Sequence, residues 1–356
     1  MTTIGILGAG QLGRMLALAG YPLGMHFRFF DSASDSPASL LAEQITADYA
    51  DTSALDRFAV GLDLVTYEFE NVSVDAVRYL ERSIPVYPPS IALEKGQDRF
   101  HEKSFFRELG IPTAEFSLET ESISFPSVLK TRRMGYDGKG QAVLSSQADF
   151  YNEEVSELLV QQDLIVEEFI PFDRELSIIS ARSKTGEMAF YPLTKNQHRD
   201  GILRLSIVDG TISSQLQKQA AEYATAVMNA LNYVGVLAIE FFEKDGQLLA
   251  NEMAPRVHNS GHWTIDGAVT SQFENHLRAV TDAPLGSTSP LGACTMVNLI
   301  GIIPDVKSIL KIEGAHLHLY DKMPRPKRKV GHVTFVEKDV ETLQKKLDQL
   351  KEIYDI

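Results

Sequence analysis

Six residues near the start of the chain, Gly8-Ala9-Gly10-Gln11-Leu12-Gly13, restrict its fold more than any others. They follow the apolar run IGIL, open the amphipathic stretch QLGRMLALAG and precede Asp31, which ends a second apolar run, HFRFFD. A glycine-rich turn from strand to helix lets backbone come close to a neighbour or an anion, and its usual setting is a parallel βαβ unit. The same spacing is the fingerprint of dinucleotide binding, so NAD chemistry is one reading and tight packing of strand against helix is another.

Beyond this turn, strand-like LDLVTYEF alternates with helical TSALDRFAV and VDAVRYLER, which predicts a doubly wound parallel sheet. The segment 83–90, with Pro85, Pro88 and Pro89, reads as a last strand and then a boundary, giving an N-terminal parallel-sheet domain over 1–95. A second domain is expected over 96–285. Its helix 97–109 is stopped by Gly110 and Pro112, and the runs PSVLKT, GQAVLS, DLIVEEF, RELSIISARS and EMAFYPL suggest an α+β, mostly antiparallel unit. Leu216, Ala220, Ala224, Val227 and Leu231 recur at helical spacing over 213–232, and the hairpin VGVLAIEFFEKDGQLLANEM follows. After Pro284 the linker-like GSTSP leads to a small C-terminal α/β domain, 290–356, closing on a helix over 339–352.

A chain of 356 residues suits two or three domains, and a net charge of −14 argues against a nucleic-acid binder. The single cysteine, Cys294, excludes an intramolecular disulfide framework and a multi-cysteine metal cage. No window approaches 18 uninterrupted apolar residues, so no membrane partner is expected. MTTIGIL runs straight into a strand without a basic leader, and a cytoplasmic protein is expected.

Several motifs carry chemistry. Lys130 ends the strand VLK five residues before Gly135-Tyr136-Asp137-Gly138-Lys139-Gly140. A fixed cation beside a glycine-rich loop suits a nucleoside triphosphate, although a long exposed hairpin would use the same residues. Glu167-Glu168-Phe169-Ile170 and Glu175 offer backbone for an adenine and a carboxylate for ribose hydroxyls; an acidic edge strand is the alternative.

Glu240 in AIEFF and Asn251-Glu252 in ANEMAPR stand on the two arms of one hairpin. A two-residue Asp245-Gly246 turn would pair Glu240 with Asn251 and send Glu252 to the other face. A three-residue Lys244-Asp245-Gly246 loop would pair Glu243 with Gln247 and put both glutamates on one face, and this is the arrangement expected. Two carboxylates so placed repel unless a divalent cation lies between them, which points to Mg²⁺ shared with phosphates. Arg256, His258 and Asn259 follow at once and could converge on a small planar oxyanion. Zinc on His258 and His262 is a competing idea that the intervening Asn-Ser-Gly disfavours. Lys322, Arg325, Lys327, Arg328 and Lys329 form a candidate phosphate site in an acidic chain.

Taken in order, GYDGKGQ, EEFI, ANEMAPRVHNSGHW and RPKRKVGH give the chain a resemblance to the ATP-grasp enzymes. Among them it resembles the N5-carboxyaminoimidazole ribonucleotide synthases, ATP-dependent carboxylases of purine biosynthesis, over essentially its whole length. The resemblance implies a parallel-sheet pre-ATP-grasp domain that has lost nucleotide binding, a two-part ATP-grasp domain and a small C-terminal domain. It implies ATP contacts from Arg99, Lys130, Gly135 through Gln141, Glu167 through Ile170, Glu175, His198, Asn251 and Glu252, with Mg²⁺ on Glu240 and Glu252. Arg256, His258 and Asn259 would bind bicarbonate and its phosphorylated product, with Tyr136 and Lys139 of the glycine loop at the reacting centre. Gln11 and Leu12 would meet aminoimidazole ribonucleotide, Lys322 and Arg328 its 5′-phosphate, and Glu68 with Tyr136 its amine. A homodimer is implied as well. The rival readings are a formate-dependent glycinamide ribonucleotide transformylase, an NAD-dependent oxidoreductase and a non-enzymatic ATP sensor.

Overall fold

The computed structural model describes residues 2–119, 124–135, 139–160 and 163–356. At the N-terminus four parallel strands lie in the order Glu43–Thr46, His26–Asp31, Thr3–Leu7, Leu64–Tyr67. Ile4 sits between Phe27 and Leu64 in register. Ile4, Ile6, Leu7, Phe29, Phe30, Val65 and Tyr67 are all buried, as strands covered on both faces require. Helix Gln11–Gly20 turns Leu16 inward, and Leu16 and Phe27 share an apolar core with Trp263, Phe273 and Leu277 of the central region. The N-terminal unit is thereby anchored to the rest of the molecule through side-chain packing.

Two expectations change here. The last strand expected over 83–90 is reduced to a single parallel bridge between Val65 and Val86, because Pro85, Pro88 and Pro89 have no N–H to extend a ladder. The helix expected over 97–109 is preceded by a separate helix, Ser90–Gly96, and spans Arg99–Glu108. Its start is set by Asp98, whose carboxylate accepts from the Phe100 and His101 N–H groups.

Two antiparallel sheets follow. The smaller has the order Phe116–Ser117, Leu164–Glu168, Ser127–Thr131, Gln141–Leu144, and packs against helix Glu153–Val160, which the sequence reading did not anticipate. The larger runs Gln247–Ala254, Gly235–Lys244, Arg174–Arg182, Thr194–Arg199, Ile202–Val208, Ala293–Ile300, Lys329–Glu337, His316–Leu319, with Met188–Phe190 pairing off Arg174–Arg182. Helix Ser214–Ala230 buries Leu216, Ala220, Ala224 and Val227, the stripe its sequence spacing foretold. Strands on both sides of the proline-bounded segment 284–290 belong to this one larger sheet, so hydrogen bonds run unbroken from the central hairpin to the C-terminal strands.

The hairpin is a correction. Lys244 pairs with Gln247 across a two-residue turn, with Asp245 at φ +52° and Gly246 at φ +73°, not across the expected three-residue loop. That turn alone would set Glu240 opposite Asn251. A bulge intervenes: Phe241 pairs with Ala250 but Glu240 pairs with Glu252, so Asn251 is the extra residue. The two carboxylates meet as expected, but a bulge brings them together, not the turn.

Candidate active site

The glycine turn is filled by the protein's own acids. Gly8 has φ +92°, and a Cβ on Gly10 would lie 2.6 Å from Glu68 Oε1. Only glycine leaves room for the Glu68 carboxylate, which accepts from the Gly10 N–H at 2.8 Å and the Gly13 N–H at 3.0 Å. Asp31 accepts from the Ala9 N–H at 2.8 Å. Backbone donors that would cradle a dinucleotide pyrophosphate are therefore already engaged, which removes the basis of the NAD reading. Burial pushes the Glu68 carboxyl up, against the pull of these two backbone bonds. Glu68 and Glu70 both line the cleft described below, and Glu70 forms an ion pair with Arg256.

On the hairpin, Glu240 is raised above the usual carboxylate range, chiefly by burial and then by Glu252. Glu252 is lowered, because Arg99 and Lys130 outweigh the cost of its low-dielectric surroundings; Arg99 reaches it at 3.0 Å. The Asn251 side-chain oxygen beside them is buried without a hydrogen-bond partner. Glu167 anchors two buried lysines: its Oε2 lies between Lys130 at 2.8 Å and Lys103 at 3.1 Å, while its Oε1 is buried without a hydrogen-bond partner. Burial opposes its charge, but the lysines prevail and hold it at about 2. Lys103, which sequence reasoning missed, stands one helical turn after Arg99, and that i, i+4 pair of cations was the available signal. Glu175 and His198 pair at 2.9 Å. Glu168 is exposed, Phe169 half-buried and Ile170 buried at the end of the same strand.

A cleft of about 610 Å³ joins these groups to the rest of the site. Its lining includes Arg99, Gly135, Lys139 and Glu252, then Arg256, His258 and Asn259, and also Gln11, Leu12, Lys322 and Arg328. Lys322 donates to Gln11 Oε1 at 2.9 Å, which ties the C-terminal segment to the glycine turn across 311 residues of sequence. Asn259 and Asn298 exchange amide hydrogen bonds of 2.8 and 3.0 Å. His258 is held well below its ordinary value, mainly by burial and then by Arg256 and Lys329. Its Nε2 lies 3.7 Å from Glu240, whereas His262 packs against Phe273, Tyr320 and His332, so these two histidines do not form a zinc pair. Asp266, His318 and His332 bring potential ligand atoms within 4.8 Å of one another. His318 meets Asp266 at 2.8 Å and His332 Nδ1 meets Tyr320 at 2.6 Å, while His332 Nε2 is buried without a hydrogen-bond partner. Gln141 starts a strand paired with Lys130. Tyr136, Asp137 and Gly138 lie outside the described residues.

Two facing carboxylates and an unpartnered amide oxygen form a hard, anionic oxygen set, which fits Mg²⁺. Together with a buried lysine on the neighbouring sheet and a cleft between the two sheets, they define an ATP-grasp enzyme. The ATP-grasp domain family matches residues 104–273, the ribonucleotide synthetase preATP-grasp domain residues 1–97, and the phosphoribosylaminoimidazole carboxylase C-terminal domain residues 294–346. The chain belongs to the N5-carboxyaminoimidazole ribonucleotide synthase family. A protein of that name from Pseudomonas aeruginosa is 48% identical to it, with 99% of each chain covered. The crystal structure of N5-carboxyaminoimidazole ribonucleotide synthetase from Thermus thermophilus is 52% identical, with a TM-score of 0.93 and 99% of each chain covered. An Aspergillus clavatus synthase in complex with ADP and 5-aminoimidazole ribonucleotide is 29% identical, with a TM-score of 0.89 and coverage of 99% and 98%.

Proposed function

We propose that the chain carboxylates the amine of 5-aminoimidazole ribonucleotide with bicarbonate and ATP, giving N5-carboxyaminoimidazole ribonucleotide, ADP and phosphate in purine biosynthesis. The observation that supports this reading is one cleft lined by Arg99 and Lys139, by Arg256, His258 and Asn259, and by Lys322 and Arg328. Bicarbonate is a poor electrophile, so its oxygen first takes the γ-phosphoryl group of ATP, releasing ADP and forming carboxyphosphate. Lys130 and Arg99 neutralise the migrating charge, while Arg256, His258 and Asn259 hold the planar anion in line with it. Glu240 and Glu252, with Asn251 beside them, would hold Mg²⁺, which supplies further charge neutralisation on the phosphates when bound.

Carboxyphosphate then breaks its C–O bond to phosphate and yields CO₂ beside the ribonucleotide. The amine attacks that carbon, a C–N bond forms, and the amine proton passes to the released phosphate. Gln11 and Leu12 fix the ribonucleotide, with Lys322 and Arg328 toward its 5′-phosphate. The glycine loop with Tyr136 and Lys139 serves to exclude water, since water would consume the intermediate. We assign the protein to the cytoplasm as a homodimer, which sedimentation would test. The decisive assay is ADP release with aminoimidazole ribonucleotide, in bicarbonate or in formate. The reading expects ADP release that depends on bicarbonate and is stimulated by the ribonucleotide; formate-driven turnover would support a transformylase instead.

A further inference from the structure

A file of buried hydrogen bonds runs across the larger sheet and ends on His258. The Ser206 hydroxyl donates to Asn196 Oδ1 at 2.9 Å, and Asn196 Nδ2 donates to Ser177 Oγ at 2.9 Å. Ser177 then donates to Ser260 Oγ at 2.8 Å, and Ser260 Oγ stands 2.9 Å from His258 Nδ1. Ser177, Ser206 and Ser260 are fully buried and Asn196 is 6% exposed, so water offers these groups no alternative partner. The register supports the file: Ser206 is directly opposite Asn196, and Ser177 is directly opposite Glu240.

Each hydroxyl has one proton, so polarity propagates along such a chain. Ser177 receives from Asn196 and gives to Ser260, which leaves the Ser260 proton for His258 Nδ1. A longer and weaker backbone contact has the same polarity. The Ser260 N–H, which can only donate, also points to His258 Nδ1 at 3.4 Å. A ring nitrogen that accepts a hydrogen bond carries no proton, so the imidazole proton resides on Nε2, the atom 3.7 Å from Glu240 Oε1 at the cleft.

We infer that Ser206, Asn196, Ser177 and Ser260 lock His258 in its Nε2–H tautomer, making it a hydrogen-bond donor to the bound oxyanion and not a base for the amine. The four are positioning residues, and their part in catalysis rests on the carboxylase reading above. The locked tautomer explains why a serine-and-asparagine stripe lies buried behind an anion pocket. It also requires the amine proton to leave by another route, for which the released phosphate is available.

The test is nitrogen NMR on the full-length protein with ¹⁵N-labelled histidine, the His258 signals being identified by their loss in His258→Gln. We expect Nδ1 to resonate as a bare ring nitrogen and Nε2 as a protonated one. In Ser260→Ala, a change without added bulk, the two tautomers should mix and kcat fall roughly tenfold with KM for ATP unchanged. A wild-type spectrum with the proton on Nδ1, or a Ser260→Ala spectrum identical to wild type, would overturn the inference. The wild-type spectrum is independent of turnover, so failure of bicarbonate-dependent ADP release in the same sample would count against the carboxylase reading alone.

Discussion

Glu252 has two electrostatic partners of opposite sign, Arg99 at 3.0 Å and Glu240 across the hairpin, and its place between them suits it to a metal. Under the proposed function, Glu252→Ala removes one of the two carboxylates that would hold Mg²⁺, and it breaks the ion pair with Arg99. Turnover should fall by about two orders of magnitude while thermal melting stays near wild type, since the side chain is part-exposed and packs no core. ADP release and a melting curve on the same sample check both halves. Glu70 acts differently. It holds Arg256 by an ion pair, so Glu70→Gln should raise KM for bicarbonate several-fold and leave KM for ATP unchanged. Equal effects on both substrates would mean that Glu70 supports the whole site and not Arg256 in particular. At this scale the sequence was informative about which residues gather and less so about what they touch. Glu68 and Glu167 were visible as acids near the right motifs. Their partners, the Gly10 and Gly13 N–H groups and Lys103, become apparent only when distant segments are folded together.

Among elements, the glycine turn and helix Gln11–Gly20 carry a sharp expectation. In Gly10→Ala the new methyl would lie 2.6 Å from Glu68 Oε1, so either the carboxylate or the turn must shift. A stability loss of about 1–3 kcal/mol follows, readable in urea denaturation. Helix Gln272–Val280 makes a second prediction through His276, which is fully buried. Its Nδ1 accepts from the Val236 N–H at 3.1 Å and its Nε2 reaches Thr66 of the N-terminal sheet at 2.8 Å. Burial lowers it from 6.5 to about 4. The unfolded chain therefore binds a proton that the folded chain refuses between those values. Stability from this group is complete above pH about 6.5 and is lost as pH falls toward about 4, by up to roughly 3 kcal/mol. His276→Gln should flatten that part of the pH–stability curve; an unchanged slope would assign acid lability to other groups. The hairpin shows where reading elements from sequence stops. Parity along AIEFF and ANEM correctly demanded a one-residue adjustment, but nothing in either run says whether the turn or a bulge supplies it.

Over the whole molecule, a chain of net charge −14 still gathers nine of its 34 lysines and arginines around one cleft, and those cations come from segments hundreds of residues apart. The larger sheet makes that possible. It carries the hairpin with Glu240 and Glu252 at one edge and, further along, strand Lys329–Glu337, which follows directly on the loop bearing Lys322 and Arg328. The strands of the parallel N-terminal sheet other than Glu43–Thr46 and the amphipathic stripe of Ser214–Ala230 were legible because each follows from local periodicity, whereas strands Thr194–Arg199 and Ile202–Val208 and helix Gln272–Val280 were not read. Continuity of the sheet past residue 290 was not, since a strand's choice of neighbour depends on packing that no short segment encodes. Helix Glu153–Val160 escaped for a related reason, being a short element whose apolar side is completed by Leu129, Leu144 and Val166 of its sheet.

The central claim is that ATP is consumed to phosphorylate bicarbonate before the amine reacts. It is tested most directly by running the reaction with ¹⁸O-bicarbonate, unlabelled water and aminoimidazole ribonucleotide, then weighing the phosphate released. The account predicts that each phosphate carries one oxygen from bicarbonate; phosphate whose new oxygen comes from water would contradict it.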